Sequence, residues 1–186
     1  MTRIAVIGAG NIGGTLGRAW ERAGHRVAYA ASTPKPPEIV AVGEALADAE
    51  VAVLALPGTA VDALLSEHAD ALAGKLVIDA TNRMGEERLD NTEALARVDG
   101  ARVARAFNTI GWERLAEPGD ATMFWCGPDG EDGALVEQLI TAVGLRAVRV
   151  GGLDAVEVVN GVGRLWLTLV FQEGWPRTTA FKLVGA

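Results

Sequence analysis

RIAVIGAGNIGGTLGRAW, residues 3–20, decides how this chain folds. It begins with a β-branched, apolar run of the kind that fills a fully buried strand. It then passes through Gly8, Ala9, Gly10, Asn11, Ile12 and Gly13 and turns helical in pattern. Glycines at a strand-to-helix turn imply a close approach where a side chain would be in the way. The G-x-G-x-x-G spacing assigns each one a task. Gly8 permits the tight turn, Gly10 leaves space for a pyrophosphate, and Gly13 lets helix and strand pack closely. Unpaired amides and the positive end of the helix dipole then face the phosphates. Gly14 and Gly17 are expected to allow close helix packing.

Outward from this turn, short β-rich runs alternate with alanine-rich stretches. The pattern predicts strands over 3–8, 25–31, 51–56, 76–80, 102–107, 122–126 and 147–150. Helices are expected near 12–23, 59–72, 92–97, 112–117 and 131–143. EIVAVGEALADA (38–49) reads either as a short strand with a helical turn or as one helix. Continuous apolar strands alternating with helices give an α/β fold, a Rossmann-type doubly wound and mainly parallel sheet. The 186 residues fit one domain. LDAVEVVNGVGRLWLTLVF (153–171) is apolar nearly all round, so it is expected to bury itself in its own core or against a second copy in a homodimer. GWP (174–176) predicts a turn and TTAFKLV an edge strand. Residues 153–186 are expected to close a substrate cleft as a C-terminal helix and return segment.

A formal charge of −7 argues against a nucleic-acid partner. Cys126 is the single cysteine, which rules out an internal disulfide or a multi-cysteine metal site and suits a cytoplasmic protein. The apolar run at 165–171 is too short for a bilayer, so no membrane partner is expected.

An NAD-preferring site usually carries Asp or Glu at the end of its second strand, to accept from the ribose hydroxyls. Here AYAASTPKP has no acid between Val27 and Pro37. Ser32 and Thr33 can donate to a 2′-phosphate and Lys35 can supply charge, which favours NADP; the same residues also suit a Pro-rich turn. Ligands of open α/β sheets bind beyond the carboxyl ends of strands. LALPGTA places Leu56 and Pro57 there, DATNRMG places Thr81 and Asn82, and AFNTIGW places Asn108 and Thr109.

GAGNIGG, LALPGTAVDALL, GKLVIDATN, ARVARAFNTIGWE and the final AFKL, in this order, resemble the NADPH:F420 oxidoreductase family and its dinucleotide-binding relatives. The resemblance implies hydride exchange between NADP and a deazaflavin, coenzyme F420. It places the dinucleotide over Gly8–Gly13 and the deazaflavin under the C-terminal segment. Ala31 and Ser32 stand where such reductases often carry Ser-Arg, which removes a bidentate phosphate ligand that Lys35 cannot replace. Other acceptors remain open readings: a flavin, a ferric chelate, or a small imine or ketone. So does a binding protein without catalysis.

Hydride transfer between stacked rings needs alignment more than side-chain chemistry, which suits a chain with two histidines and one tyrosine. No catalytic side chain and no metal ligand is assigned. Asp79 is expected to order the DATN turn, Cys126 to pack in a strand, and Trp112 to wall an aromatic pocket. Arg83 or Arg177 would offset the acidic surface toward an anionic acceptor.

Overall fold

The computed structural model describes residues 1–185. Among them are the strands β1 Arg3–Ile7, β2 Arg26–Ala30, β3 Ile39–Val40, β4 Val51–Leu54, β5 Leu76–Asp79, β6 Arg102–Arg105, β7 Thr122–Cys126 and β8 Arg146–Gly151. They form one sheet in the order β3-β2-β1-β4-β5-β6-β7-β8. Neighbours are parallel except β6 and β7, which meet antiparallel at Arg105 and Cys126. The chain leaves β1 toward β2 on one side and returns to β4 on the other. The carboxyl ends of β1 and β4 therefore border the crevice where such sheets bind ligands.

The helices are α1 Asn11–Arg22, α2 Val42–Ala47, α3 Val61–Leu72, α4 Thr92–Leu95, α5 Trp112–Ala116, α6 Gly130–Ala142 and α7 Val156–Phe171. Alternation along the strands sorts the core into two layers. Ile4 and Val6 of β1 pack with Trp20 of α1 and Leu139 of α6. Ala5 and Ile7 face the other way, onto Leu46 of α2, Leu64 of α3 and Leu95 of α4. Every residue of β4 and β5 is buried, as strands covered on both faces require. Trp20 is fully buried and its indole N–H donates to the Leu139 carbonyl at 2.9 Å, so the ring joins α1 to α6.

The ambiguous segment 38–49 resolves as a short strand, β3, followed by α2. α7 follows a 3-10 turn at Leu153–Ala155 and buries Val159, Asn160, Gly163 and Trp166, while Val158 and Leu165 are more than half exposed. Its apolar circumference is thus covered on one side only. The chain turns at Gly174, whose φ is +73°. The edge strand expected over 178–184 does not form. There the Phe181 carbonyl accepts from the Thr122 N–H at 2.8 Å, and the Leu183 N–H donates to Thr122 Oγ1 at 3.0 Å. β6 reaches β7 only at Cys126, so this segment meets the open edge at Thr122 through these bonds alone and forms no ladder.

Candidate functional site

The first turn separates its glycines by what surrounds them. Gly8 has φ +108°, and a Cβ there would stand 2.3 Å from the Ala55 carbonyl oxygen. A Cβ on Gly13 would stand 2.0 Å from the Gly8 oxygen and 2.8 Å from Val6 Cγ1. These two glycines serve packing within the protein. Gly10 differs, because a Cβ there would meet nothing within 4 Å. It is the N-cap of α1, whose first turn holds no acid and no side-chain cap. The leading amides are left open, and the helix dipole makes their end positive. Gly17 yields to Tyr29, whose ring would lie 2.3 Å from a Cβ.

Two cavities adjoin at this helix end, both lined by Gly10, Ala55, Leu56 and Pro57. The first, of about 530 Å³, opens toward the end of β2 and reaches Ser32, Val42, Leu64, Glu67 and His68. The second, of about 460 Å³, opens toward β5 and β6 and is lined by Asn11, Ile12, Thr81, Asn82, Phe107, Ile110, Trp112, Glu113 and Arg177. The cleft is bipartite, with a positive helix terminus at its waist.

The sequence-derived site residues divide accordingly. Gly8, Gly10 and Ser32 line the first cavity, Gly10, Asn11, Ile12, Thr81 and Asn82 line the second, and Leu56 and Pro57 line both. Ala9 lines neither, and Gly13 is buried beneath the turn. Thr33 and Lys35 are exposed and outside the cavity wall; Lys35 is tied to Ile39 by backbone bonds of 2.8 and 3.1 Å. Asn108 and Thr109 are buried behind the second cavity rather than facing it. The Asn108 carbonyl accepts from Asn82 Nδ2 at 3.0 Å, and its own amide is buried without a partner, its Nδ2 3.0 Å from where a Cβ on Gly163 would stand. Strand-end position alone could not reveal that the chain turns these two inward.

A buried polar network underlies the second cavity. Asp79 Oδ1 accepts from the Thr81 N–H at 3.0 Å and from its hydroxyl at 2.7 Å, while Oδ2 accepts from the Asn91 N–H at 2.8 Å. Asp79 thus orders the DATN turn, as expected from its position. Its partner is Arg105, at 3.1 Å, with both side chains fully buried. Arg105 also donates to the carbonyls of Asp79 and Thr81, to Asn82 Oδ1 at 3.0 Å and to Asn160 Oδ1 at 3.3 Å. Asn160 Nδ2 donates to Asp90 Oδ2 at 2.7 Å. Burial pulls the Arg105 pKa down, and Asp79 and Asp90 oppose that shift. Burial alone would raise Asp90, yet hydrogen bonds from Thr92 and Asn160 and the charge of Arg88 hold it below the ordinary carboxylate value. Arg105, Asp90 and Asn160 were not legible as members of this network; the available signal was an arginine directly before the apolar Ala106 and Phe107 at the end of β6.

The remaining candidates sort plainly. Burial pushes the Cys126 thiol up to about 11, which suits a packing cysteine and not a nucleophile. Trp112 and Arg177 stand on the wall of the second cavity, whereas Trp175 does not. Arg177 Nε pairs with Glu113 Oε1 at 3.0 Å, and Glu113 is a wall residue that sequence reading missed. Arg83 instead pairs with Asp62 at 3.1 Å outside this cavity. His68 lines the first cavity at a break in α3, where its φ is −135°. Among the described residues no cluster could hold a metal ion, and no helix is long and apolar enough to cross a membrane.

The rat metalloreductase STEAP3 is 28% identical over 176 residues, covering 86% of this chain and 36% of its own length. This chain therefore spans about a third of that relative. Among solved structures, a candidate F420-dependent NADP reductase of Arthrobacter sp. FB24 superposes with a TM-score of 0.82 at 22% identity, covering 100% of both chains. A hypothetical protein of Sinorhizobium meliloti superposes with a TM-score of 0.68 at 26% identity, covering 99% of this chain and 97% of its own. These likenesses extend the Rossmann-type fold over the whole chain. Residues 3–83, from β1 through the turn after β5, match the family described as NADP oxidoreductase coenzyme F420-dependent, and this is the family that the sequence motifs resemble.

Proposed function

We propose that this chain is an NADP-dependent oxidoreductase that exchanges hydride between NADP(H) and coenzyme F420. The observation that carries the reading is the pair of cavities adjoining at Gly10 and the uncapped start of α1. A dinucleotide is two nucleosides joined by a pyrophosphate, and the cleft has that division. The open α1 amides suit the pyrophosphate. The adenosine half would lie in the β2-side cavity, with Ser32 toward a 2′-phosphate and no acid at that strand end to repel it. The nicotinamide half would lie against Leu56, Pro57, Thr81 and Asn82.

A bound NADPH would supply the hydride, which an acceptor would take together with a proton from solvent. The chain's own residues bind, align and shield. Trp112 and Ile110 offer an apolar wall for an acceptor ring, and Arg177, carried in by the C-terminal segment, would exchange its pair with Glu113 for an anionic acceptor. Mixing the protein with NADPH and oxidised F420 should bleach the deazaflavin absorbance. An unchanged spectrum across a broad pH range would refute the F420 assignment. The likeness to a metalloreductase supports a second reading with a chelated metal ion as acceptor, which NADPH oxidation dependent on a ferric chelate would favour.

The exposed apolar positions Val158 and Leu165 of α7 support a homodimer through that helix, and light scattering after size exclusion would decide it. The net charge of −7 supports small-molecule partners over nucleic acid, and a lone buried cysteine suits the cytoplasm.

A further inference from the structure

We propose that Arg105 is a positioning residue, which fixes the Thr81–Asn82 turn as a preformed wall for the nicotinamide half of the cofactor. The proposal rests on the dinucleotide reading of the cleft. Its first ground is the cost of the group itself. Arg105 is fully buried at the carboxyl end of β6, and a desolvated ion pair rarely stabilises more than well-packed apolar residues would. Stability alone does not account for placing a guanidinium there.

Its second ground is where the donors go. An arginine presents its N–H groups in a rigid planar fork. Apart from Asp79, the fork is spent on the Thr81 carbonyl, on Asn82 Oδ1 and on Asn160 Oδ1. This fixes the Asn82 amide, since its Oδ1 faces Arg105 while its Nδ2 donates to the Asn108 carbonyl. The Thr81 hydroxyl is taken at both ends, donating to Asp79 and accepting from Asn91 at 2.9 Å. The Thr81 hydroxyl and the Asn82 Oδ1 are thus committed within the protein. They offer the cleft a fixed shape, and Asn160 links that shape to α7.

The third ground is asymmetry. No member of this network lines the β2-side cavity, so its loss should act on one half of the cofactor only. A lysine at 105 keeps the charge opposite Asp79 but cannot reproduce the fork.

The test compares dissociation constants of 2′,5′-ADP and NADPH by titration calorimetry in the wild type, Arg105→Lys and Asn160→Ala, with melting curves to verify folding. The ratio of the two constants measures what the nicotinamide half adds. Arg105→Lys should keep 2′,5′-ADP affinity within about twofold and lower the ratio by about tenfold, as a displaced contact surface would. Asn160→Ala leaves the ion pair intact and should lower the ratio less, by about threefold. It carries the test alone if Arg105→Lys does not fold. An unchanged ratio in a folded variant, a parallel fall of both affinities, or a wild-type ratio of one overturns the proposal. A wild type that binds neither nucleotide overturns the cofactor reading along with it, which distinguishes the two failures.

Discussion

On the β2 side of Gly10 the cleft is walled by Ala31, Val42, Ala60 and Leu64, with Ser32 at its rim. On the β5 side the wall rests on Arg105, Asp79, Asn91, Asp90 and Asn160, drawn from strands, a loop and the last long helix and joined by hydrogen bonds. An apolar slot with a polar rim holds a flat base by shape and leaves its rim side chains free to contact the ligand. A hydrogen-bonded wall instead has its side chains committed to each other before any ligand arrives, and it suits the half of a cofactor whose reacting carbon must be placed closely. Substitutions on the β5 side should therefore cost stability as well as affinity for the nicotinamide half, and those on the β2 side should cost affinity alone.

The largest effect expected is that of Asp79→Ala, which strands the buried Arg105 charge and should cost about 3–5 kcal/mol in urea denaturation. A loss under 1 kcal/mol would remove the contrast between the two sides. Next comes Ser32→Asp, which places a carboxylate at the end of β2. It should weaken NADPH binding roughly tenfold through like-charge repulsion, spare NADH, and leave the melting curve alone.

Acid should reach the β5 side through Asp90. Its carboxyl is held below the ordinary value of 3.8 in the folded chain, so its contribution is fully present above that pH and is lost as pH falls through the folded-state pKa. Urea midpoints measured across that range should fall less steeply in Asp90→Asn than in the wild type. The smallest effect is that of Ser32→Ala, which should change stability by less than about 0.5 kcal/mol and NADPH affinity by a few-fold.

The same contrast explains what could be read from the chain before its structure. The β1–α1 turn is contiguous and each glycine has a local cause, so fold, turn and the open helix end were legible together. Leu56, Pro57, Thr81 and Asn82 followed from the rule that parallel strands present their carboxyl ends to a crevice. The Arg105 network was not legible, because its members lie far apart in sequence and meet only through packing; Asn160 alone is 55 residues from Arg105. Asn108 and Thr109 satisfied the strand-end rule and still turned inward. Thr33 and Lys35 had the right chemistry for a 2′-phosphate, but the loop carries them past the cavity. Local motifs report backbone geometry well, whereas the direction of a side chain at a strand end depends on neighbours that the local sequence does not name.

The central claim is that the α1 amides at Gly10 face a cofactor pyrophosphate and not another part of the protein. Gly10→Val tests it most directly, because a Cβ at that position meets no protein atom within 4 Å. Calorimetric titration with NADPH should show affinity falling by at least about tenfold as the side chain enters the phosphate space, while unfolding free energy changes by no more than about 1 kcal/mol. A folded Gly10→Val protein that binds NADPH as tightly as the wild type would contradict the account.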